Sequence, residues 1–206
     1  MTLLPGKTVE RLSKYRRVLL LSYTNSKQHI FSHEIAALLH ITPVQVRRDI
    51  MLIGYSGSLR KGYDIKELIR KIGDILDSKT VQKVAVVGLG NLGRALIRYF
   101  SGKRTQLKIL TAFDIHPDKI GTTYEGVHCY HVARMQEVIP REKISIAILT
   151  TPVGEASDIA NILIECGIKG ILNYTTKALN VPEDIFLEEY DMVTSLEKIA
   201  YFSKEK

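Results

Sequence analysis

The sequence predicts an α/β protein with an N-terminal winged helix-turn-helix domain over residues 1–80. A Rossmann-like parallel-sheet domain follows over residues 81–206 and closes on a terminal helix that can swap into a partner. Three observations predict this. An apolar run, "KVAVVG", leads into Gly88-Leu89-Gly90-Asn91-Leu92-Gly93. Strand-like and helix-like segments then alternate to the C terminus, the rhythm of a parallel sheet with crossover helices. The net charge of +7 is confined to residues 1–63, which carry ten Lys and Arg against three Asp and Glu, whereas the rest of the chain is balanced. A basic block joined to a neutral one suggests two tasks, the first of them toward a polyanion such as nucleic acid.

In the basic block, Thr8–Tyr23 has apolar residues at Val9, Leu12, Leu19 and Leu20 and reads as an amphipathic helix. "FSHEIAALLHI" follows, with Ser32 as its expected N-cap and Ile35, Ala36, Leu38 and Leu39 as its buried face. In "ITPVQVRRDIMLIG", Thr42 is a good N-cap and Pro43 suits the first helical position. Gln45 completes a capping box, Val44, Val46, Ile50 and Leu52 supply apolar contacts, and Gly54 ends the helix. Helices separated only by "HIT" resemble a helix-turn-helix. Gln45, Arg47 and Arg48 then fall in the first two turns of the second of these helices, where a recognition helix meets base edges and phosphates. "GYSGSLRKGY", with the adjacent pair Arg60 and Lys61, suits a hairpin wing that follows a minor groove or phosphate chain. Asp64 and Glu67 form a second capping box, ahead of an apolar stripe at Leu68, Ile69, Ile72, Ile75 and Leu76. The polar stretch "DSKT" ends the domain near residue 80.

In the neutral block, Gly88 permits a tight turn, Gly90 lets the backbone approach a pyrophosphate, and Gly93 lets helix pack on strand. The phosphates belong at the positive end of the helix that follows. The next strand, "LKILTAFDIH", ends at Asp114 and Ile115, and Asp114 lies 24 positions after Gly90. A carboxylate there accepts bonds from the adenosine ribose hydroxyls and repels a 2′-phosphate, which favours NAD(H) over NADP(H). "VHCYHV" reads as a short strand. Its His and Cys residues match no common zinc spacing. "ISIAILTTP", "EASDIANILIECG" and "GILNYT" continue as strand, helix and strand. Thr151, Pro152, Asn173 and Tyr174 at the strand ends become candidates for the nicotinamide end. Only 32 residues follow Tyr174, and no recognisable acid–base pair is visible, so the chain is expected to bind a redox cofactor without turning it over. Two readings stay open beside this: a small NAD-dependent oxidoreductase with a basic extension, or a binding module for coenzyme A or another nucleotide. The final "MVTSLEKIAYF" has Thr194 and Glu197 in capping-box spacing and an apolar face of Leu196, Ile199, Ala200 and Phe202. Such a helix packs on its own domain or enters a partner subunit, and the second is favoured because DNA readers are commonly two-fold dimers. No apolar run is long enough for a membrane span and no signal peptide opens the chain, so a soluble cytoplasmic protein without a membrane partner is expected.

Taken together, "RLSKYRRVL", "ITPVQVRRDIMLIG", "GYDIKEL", "VAVVGLGNLGRAL", "TAFDIHPDKIG" and "GIKGILNY" resemble, in order and over nearly the whole chain, the Rex family of redox-sensing transcriptional repressors. The resemblance implies a winged-helix domain that binds double-stranded operator DNA and a Rossmann domain that binds NADH and NAD+. It also implies a homodimer with swapped C-terminal helices that leaves its operator when NADH rises. Carried over by motif, Arg47 and Arg48 would be recognition-helix contacts and Asp114 the ribose ligand. Tyr99 would lie near the nicotinamide, and Arg16 and Asp191 would act at the moving interface. The chain departs from the family pattern at three places. The wing reads "SLRKGY" where the family usually has Lys-Arg-Gly-x-Gly-Tyr. "NYTT" stands for Asn-Phe-Ala-Pro, and the C-terminal stretch is short and polar.

Overall fold

The computed structural model describes residues 4–101 and 106–204, which divide between Asp77 and Ser78 into two compact units. The division falls inside the polar "DSKT" stretch.

The first unit holds helices α1 (Gly6–Thr24), α2 (Ser32–Leu39), α3 (Pro43–Leu52) and α4 (Ile65–Leu76), with strands β1 (His29–Ile30) and β2 (Tyr63–Asp64) paired antiparallel. Its core joins Leu12, Tyr15 and Leu19 of α1 to Ile35 of α2, Val46 and Ile50 of α3, and Leu68 and Ile72 of α4. The buried stripe of α1 is therefore Leu12, Tyr15 and Leu19, while Val9 and Leu20 lie exposed. Tyr15 can be buried because its hydroxyl donates to Asp49 Oδ2 at 2.7 Å. Asp49 is fully buried and also takes a two-pronged bond from Arg11 at 2.6 and 2.9 Å and one from Gln45 Nε2 at 2.9 Å. Burial works against its charge, but the bonds from Arg11, Tyr15 and Gln45 outweigh it and hold the carboxyl below its usual value.

Several local expectations need correction. Helix α2 is capped by Phe31 in extended conformation, not by Ser32, because Glu34 reaches back to the Phe31 N–H at 2.8 Å and starts the helix one residue earlier. Leu38, Val44 and Leu52 are exposed and not core. The two predicted capping boxes are half made. Thr42 accepts from the Gln45 N–H and Asp64 from the Glu67 N–H. The return bonds are absent, since the Gln45 side chain goes to Asp49 and Glu67 accepts from the Tyr55 hydroxyl. Gly54, at φ +70°, ends α3 as expected.

The second unit is a seven-stranded sheet in the order β5-β6-β4-β3-β7-β8-β9. The strands are β3 (Gln82–Val87), β4 (Leu107–Asp114), β5 (Thr123–Tyr124), β6 (Val127–His131), β7 (Ile146–Leu149), β8 (Gly170–Asn173) and β9 (Phe186–Glu189). All pairings are parallel except β5 with β6. Helices α5 (Asn91–Phe100), α6 (Met135–Glu142), α7 (Ala156–Glu165) and α8 (Met192–Phe202) complete it. The two-residue period of β3 divides the core. Ala85 and Val87 face α6 and α7 with Val138, Ile139 and Leu163, whereas Val84 and Val86 share the other face with Ile97 of α5. Helix α8 is capped by Asp191, which accepts from the Val193 N–H and the Thr194 hydroxyl, so Thr194 sits inside the first turn and is not the expected cap. No residue of α8 is buried.

The Asp49 cluster makes a pH prediction. A carboxyl held low in the folded unit contributes stability above the unfolded value of about 3.9 and loses it as pH falls through the folded value. The protection of α1 and α3 amides in the full chain, measured as hydrogen exchange relative to the intrinsic rate at each pH, should therefore fall on acidification. Asp49→Asn should already be weaker at neutral pH by about 1.5–3 kcal/mol and lose less on acidification; parallel slopes for the two proteins would remove this role.

Candidate functional site

At the carboxyl ends of β3, β4 and β7 the second unit opens a cleft of about 510 Å³, a size suited to a small-molecule ligand. This end of the sheet is where the strand order reverses, since β3 has β4 on one side and β7 on the other. The cleft is lined by Gly88, Gly90, Asp114, Ile115, Thr151 and Pro152 of the sequence-predicted set, together with His116, Lys119, Thr150 and Glu155.

Each glycine of the turn has a different reason. Gly88 adopts φ +97°, and a Cβ there would sit 2.7 Å from the Thr150 carbonyl oxygen. A Cβ on Gly93 would collide with the Gly88 carbonyl, so α5 could not pack where it does. Gly90 is the N-cap of α5, and a Cβ on it would meet nothing within 4 Å. Its missing side chain leaves the cleft open toward the helix's first N–H groups. Thr150 locks the far side by sharing its one hydroxyl proton between the carbonyls of Gly88 at 2.7 Å and Val87 at 3.0 Å.

Asp114 is only 7% exposed. It accepts from the Leu89 N–H at 2.7 Å, from the His116 N–H at 2.8 Å and from Lys119 Nζ at 2.9 Å. Burial opposes its charge, yet these bonds prevail and hold the carboxyl below its ordinary value. The carboxylate thus ties strand β4 to the glycine turn and stays ionised at the cleft wall. The Thr151 hydroxyl is buried with no hydrogen-bond partner among the described residues, which is unusual for a polar atom unless a ligand or water meets it. An open cradle at Gly90, an ionised acceptor at Asp114 and an unpartnered hydroxyl at Thr151 fit a nucleotide with a diphosphate and a free ribose.

The remaining predicted residues fall elsewhere. Leu89 is buried, and Asn91 and Leu92 occupy the first turn of α5 without lining the cleft. Asn173 is fully buried and its amide is spent on the following loop, where it accepts from Thr175 and donates to the Lys177 carbonyl. Tyr174 stacks at a tilt on Tyr190, with ring centres 5.3 Å apart. Burial, then Tyr190 and Tyr99, push the Tyr174 phenol upward, and the Tyr99 ring itself packs edge-on against Phe100 with centres 5.4 Å apart. Lys119, His116 and Glu155 were missed in the sequence. For Lys119 the signal was a cation five residues past a strand-end carboxylate, in a "PDK" turn. His131, of the "HCYH" stretch, accepts from the Ala133 N–H and Cys129 is buried in β6.

In the first unit, α3 turns Val46, Asp49 and Ile50 inward and leaves Arg47 and Arg48 exposed. Arg47 Nη1 donates to Ser32 Oγ at 3.1 Å, which braces it against the start of α2. Gln45 is part-buried through its bond to Asp49. The glycine-rich stretch forms a tight hairpin. Ser58 and Gly62 exchange two backbone bonds of 2.9 Å, and Leu59, Arg60 and Lys61 are exposed at its tip. Arg16 is bound by Asp77 at 2.6 Å, while Asp191 caps α8.

A family model described as "CoA binding domain" matches residues 79–177, and one described as "Putative DNA-binding protein N-terminus" matches residues 4–50. The chain is 35% identical over 199 residues to a redox-sensing transcriptional repressor Rex of Lactobacillus gasseri, spanning 97% of this chain and 93% of the relative. It is 36% identical over 201 residues to a Rex of Anoxybacillus flavithermus, spanning 98% and 94%. Among solved structures, RSP in complex with beta-NAD+ and operator DNA matches with a TM-score of 0.89 at 31% identity over 98% of this chain and 93% of that one. RSP in complex with beta-NADH matches with a TM-score of 0.87 at 30% identity over 98% and 95%.

The glycine geometry separates packing from access. Gly93→Ala should destabilise the second unit by about 1–3 kcal/mol through overpacking. Gly90→Ser should stay within about 0.5 kcal/mol, because serine is a good N-cap and its side chain enters open space. Thermal unfolding of the two variants checks this ordering.

Proposed function

The chain belongs to the Rex family of redox-sensing transcriptional repressors, and from that premise we propose that it binds operator DNA through its first unit and NADH or NAD+ through its second, releasing the DNA as NADH accumulates. The observation that carries the proposal is the match over 98% of the chain to RSP, which was solved with beta-NAD+ and operator DNA. In this reading the protein is a regulator and not an enzyme, and it works in the cytoplasm where operators and the nicotinamide pool are found.

The pyrophosphate lies over the turn Gly88–Gly93 and the first N–H groups of α5. Asp114 accepts from the adenosine ribose hydroxyls, and Thr151 and Pro152 flank the path toward the nicotinamide. Tyr99 and Tyr174 stand toward the ring. Coenzyme A is the rival, because the family model matching residues 79–177 is named for it. Its ribose carries a 3′-phosphate, which would set a second negative charge against the ionised Asp114. A ribose with both hydroxyls free suits this wall better. In the first unit, Arg47 and Arg48 enter the major groove with Gln45 behind them. The wing pair Arg60 and Lys61 follows the backbone.

The protein is proposed to act as a homodimer. Helix α8 exposes Met192, Val193, Leu196, Ile199, Tyr201 and Phe202, and no residue of it is buried in its own chain. In the same unit Ile146 and Leu172 are only partly covered and Phe186 is exposed. A second chain's α8 would cover such a face. Arg16 and Asp191 are assigned to the interface that moves between the two states. A hundredfold release from DNA corresponds to about 2.8 kcal/mol of differential affinity of NADH for the DNA-incompetent arrangement, within the usual range of coupling energies.

Two measurements test the proposal. First, a duplex selected by the full-length protein from randomised DNA should be released as the NADH/NAD+ ratio rises at fixed salt. Equal grip across the ratio would overturn redox sensing. On that duplex Arg47→Ala or Arg48→Ala should cost about 1–3 kcal/mol for whichever arginine reads a base. Second, calorimetry of Asp114→Ala should show NADH binding weakened by about 1.5–3 kcal/mol, the value of bonds to a charged acceptor. A coenzyme A module would instead prefer coenzyme A over NADH in direct competition for the wild-type protein.

A further inference from the structure

Helix α3 carries apolar side chains on the face where a core helix should have none. Val44 is 63% exposed and Met51 70%, and both line a shallow depression with Arg47 and Arg48. Positions 44, 47, 48 and 51 are spaced three, four and seven apart, so they form one stripe of the helix. The opposite stripe, Val46, Asp49 and Ile50, is the buried one. A single exposed apolar residue is ordinary on a protein surface. Two that bracket a pair of arginines along one stripe are a composed surface, positive in the middle and apolar at both ends.

Charge complementarity selects the occupant. Two exposed arginines call for a polyanion, and double-stranded DNA is the polyanion whose grooves also offer apolar groups. The only apolar group on a base edge is the C5 methyl of thymine, and it is displayed in the major groove alone. Val44 is the second residue of α3, at the end of a reading helix that meets base edges. Its β-branched side chain is held near one rotamer in a helix, so its methyl groups are pre-set. We propose that Val44 is a specificity residue that packs against the C5 methyl of a thymine next to the site met by Arg47 and Arg48. This rests on the DNA-reading function proposed above.

The test uses the full-length protein with NAD+ and the duplex it selects from randomised DNA. Each thymine is replaced singly by uracil, which removes the methyl and keeps every hydrogen-bonding group. Wild type should lose about fourfold in affinity at one thymine position or its symmetry mate, the equivalent of about 0.8 kcal/mol for one buried carbon. Val44→Ala, which is exposed and keeps helix propensity, should bind the parent duplex more weakly and show no further loss at that same uracil. If wild type and Val44→Ala respond alike to every uracil, or if the selected site lacks thymine, the inference falls while DNA reading stands. If Val44→Ala weakens binding with no such coupling, the residue serves another contact and the inference also falls. If wild type enriches no duplex at all, the DNA-reading function fails and takes this inference with it.

Discussion

The buried Asp49 carboxylate is the constraint on which the reading head depends. A charge without solvent is tolerated only when its acceptor capacity is filled, and here Arg11, Tyr15 and Gln45 fill it. Two of these donors come from α1 and one from α3 itself. The carboxylate therefore fixes the rotation of α3 about its own axis. Once residue 49 points inward, residues 44, 47, 48 and 51 must point outward, because a helix cannot hide both stripes. The apolar contacts of Val46 and Ile50 supply energy without direction. The ion pair supplies the direction. This is why Val44 and Leu52, apolar though they are, end in solvent.

The second unit repeats the device. Asp114 is buried at the end of β4 and is satisfied by two backbone N–H groups and Lys119. The bond from the Leu89 N–H fastens the glycine turn to the neighbouring strand, and the Thr150 hydroxyl fastens it from the other side through Gly88. A turn pinned on both flanks holds its shape before any ligand arrives, which lowers the ordering cost of binding. Lys119 has a second effect. It offsets part of the Asp114 charge, so any selection against a ribose phosphate there would depend on the carboxylate's geometry as well as on its sign.

Much of this was legible in the sequence, for identifiable reasons. The strand before Gly88 and the helix after it follow from unbroken apolar residues and from glycines with no alternative at those backbone positions. The helix-turn-helix follows from Thr42 and Pro43, whose roles at a helix start are local. What failed was long-range. An apolar residue in a helix reads as core, and nothing in residues 38, 44 or 52 announces that Asp49 will claim the interior. Strand β9 was overlooked because it is mostly exposed and ends in two glutamates, without an apolar run, and α6 because it contains Pro140, which argues against a helix until its place near the last turn is known. Capping boxes were half right because Gln45 and Glu67 found partners, Asp49 and Tyr55, that lie beyond the reach of the capping pattern. At the cleft, Asn173 lies at the correct strand end, yet its amide closes a loop, a choice made by Thr175 and Lys177 that no spacing rule contains.

For a redox sensor, the best-defined part of the cleft cannot be the part that senses. In the proposed binding mode Gly88, Gly90 and Asp114 would face the pyrophosphate and adenosine ribose, which are identical in NADH and NAD+. Affinity from those groups is equal for both forms, and equal affinity shifts no equilibrium. Discrimination must arise where the forms differ, at a nicotinamide ring that carries a positive charge when oxidised and is neutral and puckered when reduced. The stacked pair Tyr174 and Tyr190 and the proposed nicotinamide neighbour Tyr99 would offer matching chemistry, since an aromatic face attracts a cation more than a neutral ring. Tyr174 stands where "NYTT" replaces the family's usual Asn-Phe-Ala-Pro. If the nicotinamide lies there as proposed, the polar hydroxyl that Tyr174 adds would touch the half of the cofactor that differs between NADH and NAD+ and leave the grip on the common half unchanged.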